Sequence, residues 1–324
     1  MEAILRFIFS LSLSIPVFVS ALTVGVGKTE ITPPLGTPSA GYQERKGAGM
    51  EGFHDPLLAT ALFIDNGEQK IVFCNVDHLG FMTDMFEKVK QHIQQEPGLE
   101  NCQLFLGSSH THSGGGAFIN VPIIGPALAG RYDAAITAFY VERTAQAILQ
   151  ATRNTIEGKI GIGYGHAENL SRFRSTWPEN ISPLSDVAVI KVTRQDGTPF
   201  AVLLNYAMHP TVMRSANRLF SADFVGPARD HLQLLLGKDV QPIYFNGAQG
   251  DIDPQQSDNN FDTCNAIGRS LAKTVQAIWD KTEVSDSLEI ALKKIAYEFQ
   301  PQPTPVGLKL PVESYRSEIN SIVF

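Results

Sequence analysis

Four apolar runs of strand length each stop at a polar loop rich in titratable side chains. Lys70 to Val76 ends in Asp77-His78, and Gln103 to Leu106 leads into His110-Thr-His112. Phe200 to Tyr206 runs on into His209-Pro210, and Val240 to Asn246 into Gly250-Asp251. Helical spacing lies between these runs. Thr83 to Gln95 carries Met85, Val89 and Ile93 on one stripe, and Ala134 to Thr152 and Cys264 to Asp280 read as longer helices. Strands alternating with helices indicate an α/β chain with mixed sheets, flanking helices and site loops at strand ends. One edge of the sheet is expected to carry all four loops. Val24 and Val26 alternate as a first strand, and Asn66-Gly67 between Ala59–Ile64 and Lys70–Val76 signals a hairpin. Ile160 to Tyr164 opens a strand-rich stretch that continues in Val187 to Val192. A helix is expected from Ala228 to Leu236, opening after Gly226-Pro227, and Ser287 to Phe299 alternates weakly.

The chain has 324 residues, 43% hydrophobic and 18% charged, which suits a globular protein with a large core. Its formal net charge of -7 argues against nucleic acid as a partner and offers no basic surface to anionic membranes. Arg6 precedes an apolar stretch from Phe7 to Val19, and Val19-Ser20-Ala21 supplies small residues for cleavage. Residues 1–21 therefore read as a secretory signal, with one domain over 22–324, and the protein is expected to be secreted, extracellular or periplasmic. A membrane anchor is the competing reading, and the apolar run is short for a span of about 20 residues. Cys74, Cys102 and Cys264 allow at most one disulfide, and Cys74 and Cys102 read as small hydrophobes. Asn169-Leu-Ser171 and Asn180-Ile-Ser182 fit the glycosylation sequon.

The run Gly107-Ser-Ser-His-Thr-His-Ser-Gly114 follows a buried-looking strand and crowds nothing bulky around two imidazoles. In an extended segment residues i and i+2 share a face, so both rings can enter one cavity. Neutral imidazole is a common zinc ligand and a proton carrier near neutral pH. The alternative is a pair of loop histidines bonded to water or backbone. His209, taken by itself, reads as a strand-end histidine before proline. His54, His78, His92, His166 and His231 read as structural, with His78 bordering the same strand ends. Asp77, Asp223 and Asp251 are expected to cap turns or helices.

Taken together, the four loops resemble the neutral/alkaline non-lysosomal ceramidase family. Gly25-Val-Gly-Lys-Thr-Glu-Ile-Thr-Pro33 resembles its N-terminal strand and loop, and Ser109-His-Thr-His-Ser-Gly114 its His-Thr-His-Ser-Gly motif. Asn205-Tyr-Ala-Met-His-Pro-Thr211 is similar to its second metal-ligand strand, Asn246-Gly-Ala-Gln-Gly-Asp-Ile-Asp-Pro254 to its Gly-Asp-Val-Ser-Pro loop, and Asn169 to Arg174 to a substrate-binding loop. The likeness runs in order from about Leu22 to about Pro311.

The resemblance implies a secreted amidohydrolase in which one Zn2+ activates water to cleave a lipid-like N-acyl amide. It implies His110 and His209 as zinc ligands and His112 as a second-sphere or acid–base histidine. Arg174, in preference to Arg172, would hold the oxyanion or a polar substrate group. Peripheral contact with a membrane would go with a lipid-like substrate, and no protein partner is implied. Asp253 stands where the family has serine. It is open to a role as metal ligand or base, or to a turn role before Pro254. The family's further ligands, a glutamate and a tyrosine, would lie beyond the Pro-rich segment Pro301 to Pro311. Glu313 and Tyr315 do not match their context, so a truncated domain is expected. A metal-dependent hydrolase of another ester or amide, or a catalytically silent fragment, are the other readings.

Overall fold

The computed structural model describes residues 21–174, 181–256, 258–299 and 315–323. The expected leader up to Ser20, the sequon residue Asn180, the Pro-rich stretch from Pro301 and Glu313 lie outside them. The elements in chain order are β1 (Thr23–Glu30), a 3-10 turn (Gln43–Arg45), β2 (Gly52–Phe53), β3 (Leu58–Asp65), β4 (Lys70–Val76), α1 (Thr83–Gln94), β5 (Gln103–Ser108), α2 (Ile124–Ala129), α3 (Ala134–Arg153) and β6 (Thr155–His166). They continue as β7 (Ser171–Phe173), β8 (Asp186–Arg194), β9 (Pro199–Tyr206), β10 (Leu219–Phe220), α4 (Val225–Leu236), β11 (Gln241–Asn246), β12 (Ile252–Pro254), α5 (Phe261–Lys281), β13 (Ala291–Phe299) and β14 (Tyr315–Val323). The α/β class is as expected.

Eight strands form one mixed sheet in the order β11-β9-β8-β6-β1-β3-β4-β5. The outer pairs β4–β5 and β9–β11 are parallel, and the pairs between them are antiparallel. Alternation along each strand sorts its side chains between two faces. From β3 and β4, Ala61, Phe63, Val72 and Cys74 face α1 and α3. From β8, β9 and β11, Val187, Val189, Leu204 and Tyr244 face α4 and α5. The opposite faces of both halves share one cluster, in which Leu62 and Ile64 meet Ile190, Leu203 and Ile243. The sheet is thus folded over on itself, helices outside and apolar side chains between its halves.

The fold brings the two edge strands back together. Phe245 of β11 stands edge-on to Phe73 of β4, with ring centroids 5.9 Å apart. Gly107 of β5 lies so close to the Phe245 ring that a Cβ there would sit 2.8 Å from it. The four polar loops lie at strand ends, as the sequence suggests, but their strands stand at the two margins of the sheet order. They come from opposite edges and meet through the curl.

Local chemistry explains most boundaries. Asp133 caps α3 by accepting from the backbone N–H groups of Ala135 and Ile136, and Asn260 caps α5 by accepting from Thr263. The β3–β4 hairpin turns on Asn66, whose side-chain oxygen accepts from Glu68 and Gln69. Helix α4 starts at Val225, ahead of the expected start at Ala228. Pro227 falls in the first turn, where its missing N–H has no intrahelical acceptor to lose. All three cysteines are free thiols; Cys74 and Cys264 are buried and Cys102 partly so.

One ion pair ties the halves together. The Arg229 guanidinium of α4 donates to Asp77 Oδ2 at 2.6 Å, and that oxygen also accepts the Leu58 N–H. Both side chains are buried. Asp77 is structural, as expected. Removing one member of such a pair leaves a stranded charge. Asp77→Ala should destabilise the protein by roughly 3–5 kcal/mol in urea unfolding. Asp84→Ala, which breaks an exposed pair with Lys88, should cost no more than about 0.5 kcal/mol in the same experiment.

Candidate metal centre and its arginine rim

Strand register aligns the loops in two pairs. Val76 of β4 faces Ser108 of β5, and Tyr206 of β9 faces Asn246 of β11, so each pair of loops leaves its strands at one level. Asn246 joins the two pairs. Its amide nitrogen donates to Ser109 O at 2.9 Å and to Met208 O at 3.1 Å, and its oxygen accepts the Met208 N–H. The Tyr244 hydroxyl donates to the Tyr206 carbonyl behind it. The Asn246-bearing motif was legible in the sequence, but its bridging role depends on β5 and is not.

His110, His112 and His209 meet at this junction. Ring centroids are 4.7 Å apart for His110–His209, 5.1 Å for His110–His112 and 5.2 Å for His112–His209. One ring nitrogen from each lies within 4.8 Å of the others, a group able to hold a metal ion. The expectation of an extended His-Thr-His segment is not met. Strand β5 ends at Ser108, and His110 takes a left-handed φ of 67°. That strained backbone, held by the His110 N–H to His78 O bond, turns the loop so that the rings still converge.

The three rings differ in their support. His110 Nδ1 lies 2.6 Å from Leu79 O and His209 Nδ1 lies 3.0 Å from Gln249 O. A carbonyl can only accept, so both Nδ1 atoms carry the proton and both Nε2 atoms are left with a lone pair. This is the arrangement that orients a metal-ligating imidazole. Neither buried ring nitrogen of His112 has a hydrogen-bond partner among the described residues. An orphaned polar pair is costly in a protein interior and calls for a partner. Burial keeps the rings neutral. It pulls His112 down to about 2 and His209 to about 4, with the neighbouring imidazoles adding to the effect, and it lowers His110 as well. Neutral nitrogen donors facing a common point fit a metal ion, and imidazole suits zinc among several divalent metals.

Around the rings runs a tight shell. Tyr42 packs on His112 with centroids 4.7 Å apart. Its phenol is pushed up to about 12 by burial. Arg45 is buried, and it donates to the carbonyls of His112, Arg214 and Ser215 and to Ser39 Oγ. It fastens three loops and makes no ion pair among the described residues.

On the His209 side sits an arginine rim. Arg174 Nη1 lies 3.4 Å from His209 Nδ1 and donates to Gly250 O at 3.1 Å. Its Nε lies 3.3 Å from Asp253 Oδ1, and Arg214 donates to Asp253 Oδ2 at 3.2 Å. Arg172 is 3.9 Å from the same carboxylate. Of the two expected arginines, Arg174 is the one beside the histidines. Asp253 is not a turn residue. It belongs to β12, which pairs with β7 through Asp253 opposite Arg172, so its side chain is buried between guanidiniums. It stands outside the metal-capable group. Sequence reasoning passed over Tyr42, Arg45, Arg214 and Asn246. Only Asn246 lies in a recognised motif.

The remaining candidates are structural. Asp223 accepts from the N–H groups of Met213 and Phe224, and burial raises it to about 6. His54 pairs with Asp55 and stacks on Phe261, His166 pairs with Asp186, and His231 bonds Asn265. His78 is buried among Phe81, Phe118 and Tyr140, with Nδ1 on Gly80 O.

Gly41 makes the position of His112 testable. Its φ is 105°, and a Cβ there would lie 2.3 Å from His112 Nδ1. Gly36, with φ 87°, has open space instead. Both alanine variants carry backbone strain of order 1–3 kcal/mol. In chemical denaturation Gly41→Ala should lose about 1–3 kcal/mol more than Gly36→Ala, the added cost of overpacking against the ring.

Comparison with known proteins agrees with this architecture. The sequence profile of the family described as neutral/alkaline non-lysosomal ceramidase, N-terminal, matches residues 22–243. Neutral ceramidase A of Dictyostelium discoideum is 26% identical over 225 residues, covering 64% of this chain and 31% of that protein. The neutral ceramidase of Pseudomonas aeruginosa is 24% identical over 281 residues, covering 78% and 41% respectively. The crystal structure of neutral ceramidase from Pseudomonas aeruginosa superposes with a TM-score of 0.75 at 21% identity, over 86% of this chain and 48% of that one. That likeness establishes a shared fold. The chain spans less than half the length of these relatives.

Proposed function

Because the chain belongs to the neutral/alkaline non-lysosomal ceramidase family, we propose that it carries the metal-binding core of a zinc-dependent hydrolase acting on the amide of ceramide-like lipids. The convergence of His110, His112 and His209 carries this reading. A zinc ion held there supplies Lewis-acid polarisation of the carbonyl and a more acidic water. His110 and His209 would hold the ion through Nε2, since each has its Nδ1 proton fixed on a backbone carbonyl. His112 lacks such an anchor and serves as the proton carrier. In hydrolysis the oxygen of water bonds to the acyl carbon, the carbon–nitrogen bond breaks, and the nitrogen leaves with a proton. A neutral imidazole next to the reacting atoms takes the proton from water and returns it to that nitrogen. Arg174 Nη1, beside the His209 ring, is placed to hold the developing oxyanion. Asp253 keeps Arg174 in position through the 3.3 Å ion pair.

A lipid-like substrate is supported by Val121, Ile123 and Ile124, exposed apolar residues on the segment that follows the His112 loop. The same residues favour peripheral contact with a membrane surface. Export to an extracellular or periplasmic space rests on the apolar run before Ala21. No helix among the described residues is long and apolar enough to cross a membrane.

Purified protein should contain zinc and cleave N-acyl amides in a chelator-sensitive manner. His110→Ala and His209→Ala should each lose the metal as well as the activity. His112→Asn should retain the metal and lose about 10²–10⁴-fold in kcat, the usual contribution of a general acid–base group. Elemental analysis showing no bound metal in protein refolded with zinc would overturn this assignment.

A further inference from the structure

The arginine rim holds more positive charge than the fold consumes. Arg172, Arg174 and Arg214 surround one carboxylate, that of Asp253, which is buried beneath them. Three guanidiniums carry about fifteen N–H donors, and one carboxylate offers about four acceptor positions. Arg174 spends one more donor on Gly250 O. Arg218 pairs with the exposed Glu51, and Arg45, bonded to the Arg214 carbonyl, makes no ion pair among the described residues. Among the described residues the three rim guanidiniums share one carboxylate, an excess of two positive charges, in a chain whose formal net charge is -7. The three rim side chains are each about a third to a half exposed to solvent. Guanidinium forks match planar oxyanions in geometry, and a local positive patch on an acidic protein draws anions to it.

Arg174 stands beside the His209 ring, and all three rim arginines gather on Asp253. We infer that the substrate is an N-acyl amide whose amine half carries an acidic group, a carboxylate or another oxyanion, bound by Arg172 and Arg214. This inference rests on the hydrolytic reading for the reaction but not for the binding. It narrows the ceramide-like reading to N-acyl amides with an acidic head group, where that of ceramide itself is neutral.

The test compares N-dodecanoylglycine with N-dodecanoylethanolamine, which share an acyl chain and differ by a carboxylate. With the zinc-loaded protein, kcat/KM should favour the glycine amide by about tenfold or more, and 0.5 M salt should reduce that ratio (screening of exposed charges). Arg172→Gln should raise KM for the glycine amide about five- to tenfold and collapse the preference, whereas Arg269→Gln, a remote exposed arginine, should leave the ratio as it is. Binding is measured separately by calorimetry with N-(dodecylsulfonyl)glycine and its ethanolamine counterpart, on zinc-loaded and on chelator-treated protein. A preference for the acid that survives metal removal and disappears in Arg172→Gln supports the anion site, even if neither amide is cleaved; that combination would defeat only the hydrolytic reading. Cleavage of both amides at equal efficiency, or equal binding of both sulfonamides, overturns the anion site and leaves the hydrolase intact.

Discussion

The folding of the sheet onto itself is the constraint from which the rest follows. Strands β5 and β11 are the two edges of an eight-strand order, yet Asn246 at the end of β11 hydrogen-bonds the carbonyl of Ser109 just past the end of β5. A flat sheet would hold these groups at opposite margins. The curl is driven by the apolar faces that both halves turn inward, where Leu62, Ile64, Ile190, Leu203 and Ile243 leave water together. Helices cover the outer faces, and the buried Arg229–Asp77 pair ties one helical layer to the opposite half. The histidine cluster is a consequence of that closure.

The same closure explains the electrostatic character of the site. Three imidazoles shut away from water stay neutral, and neutral rings are the form that donates a lone pair. Backbone carbonyls at Leu79 and Gln249 select the tautomer of two of them, so their orientation does not depend on any other titratable group. The arginines lie at the margin, half in solvent, where their charge remains available. Asp253 orders them from beneath. A carboxylate in the position where serine was expected therefore acts as a counter-ion to guanidinium, and it does not join the nitrogen donors.

Much of the fold was readable in the chain. Strand alternation, the Asn66-Gly67 hairpin and the stripe Met85-Val89-Ile93 depend on neighbours within a few residues, and each appears where the pattern put it. The start of α4 was missed because Pro227 reads as a stop, whereas the first turn of a helix tolerates it. The extended geometry expected for His110 was wrong because a left-handed φ at that residue is imposed by the loop's bond to His78, not by local propensity. The role of Asp253 stayed open between metal ligand, base and turn because its strand partner, β7, lies some eighty positions earlier.

The sequence by itself determined the elements, the α/β class, the family and the residue types on offer: two histidines in one loop, a third after β9, and arginines near Asn169. These are properties of short segments, and short segments carry their own periodicity and motifs. Tertiary structure alone decided that the loops of opposite sheet edges meet, that His112 has no partner for either ring nitrogen among the described residues, and that Arg174 and Arg214 converge on one buried carboxylate. Such relations depend on how two halves of a sheet curl and pack, an outcome distributed over the whole core and written in no single stretch of the chain.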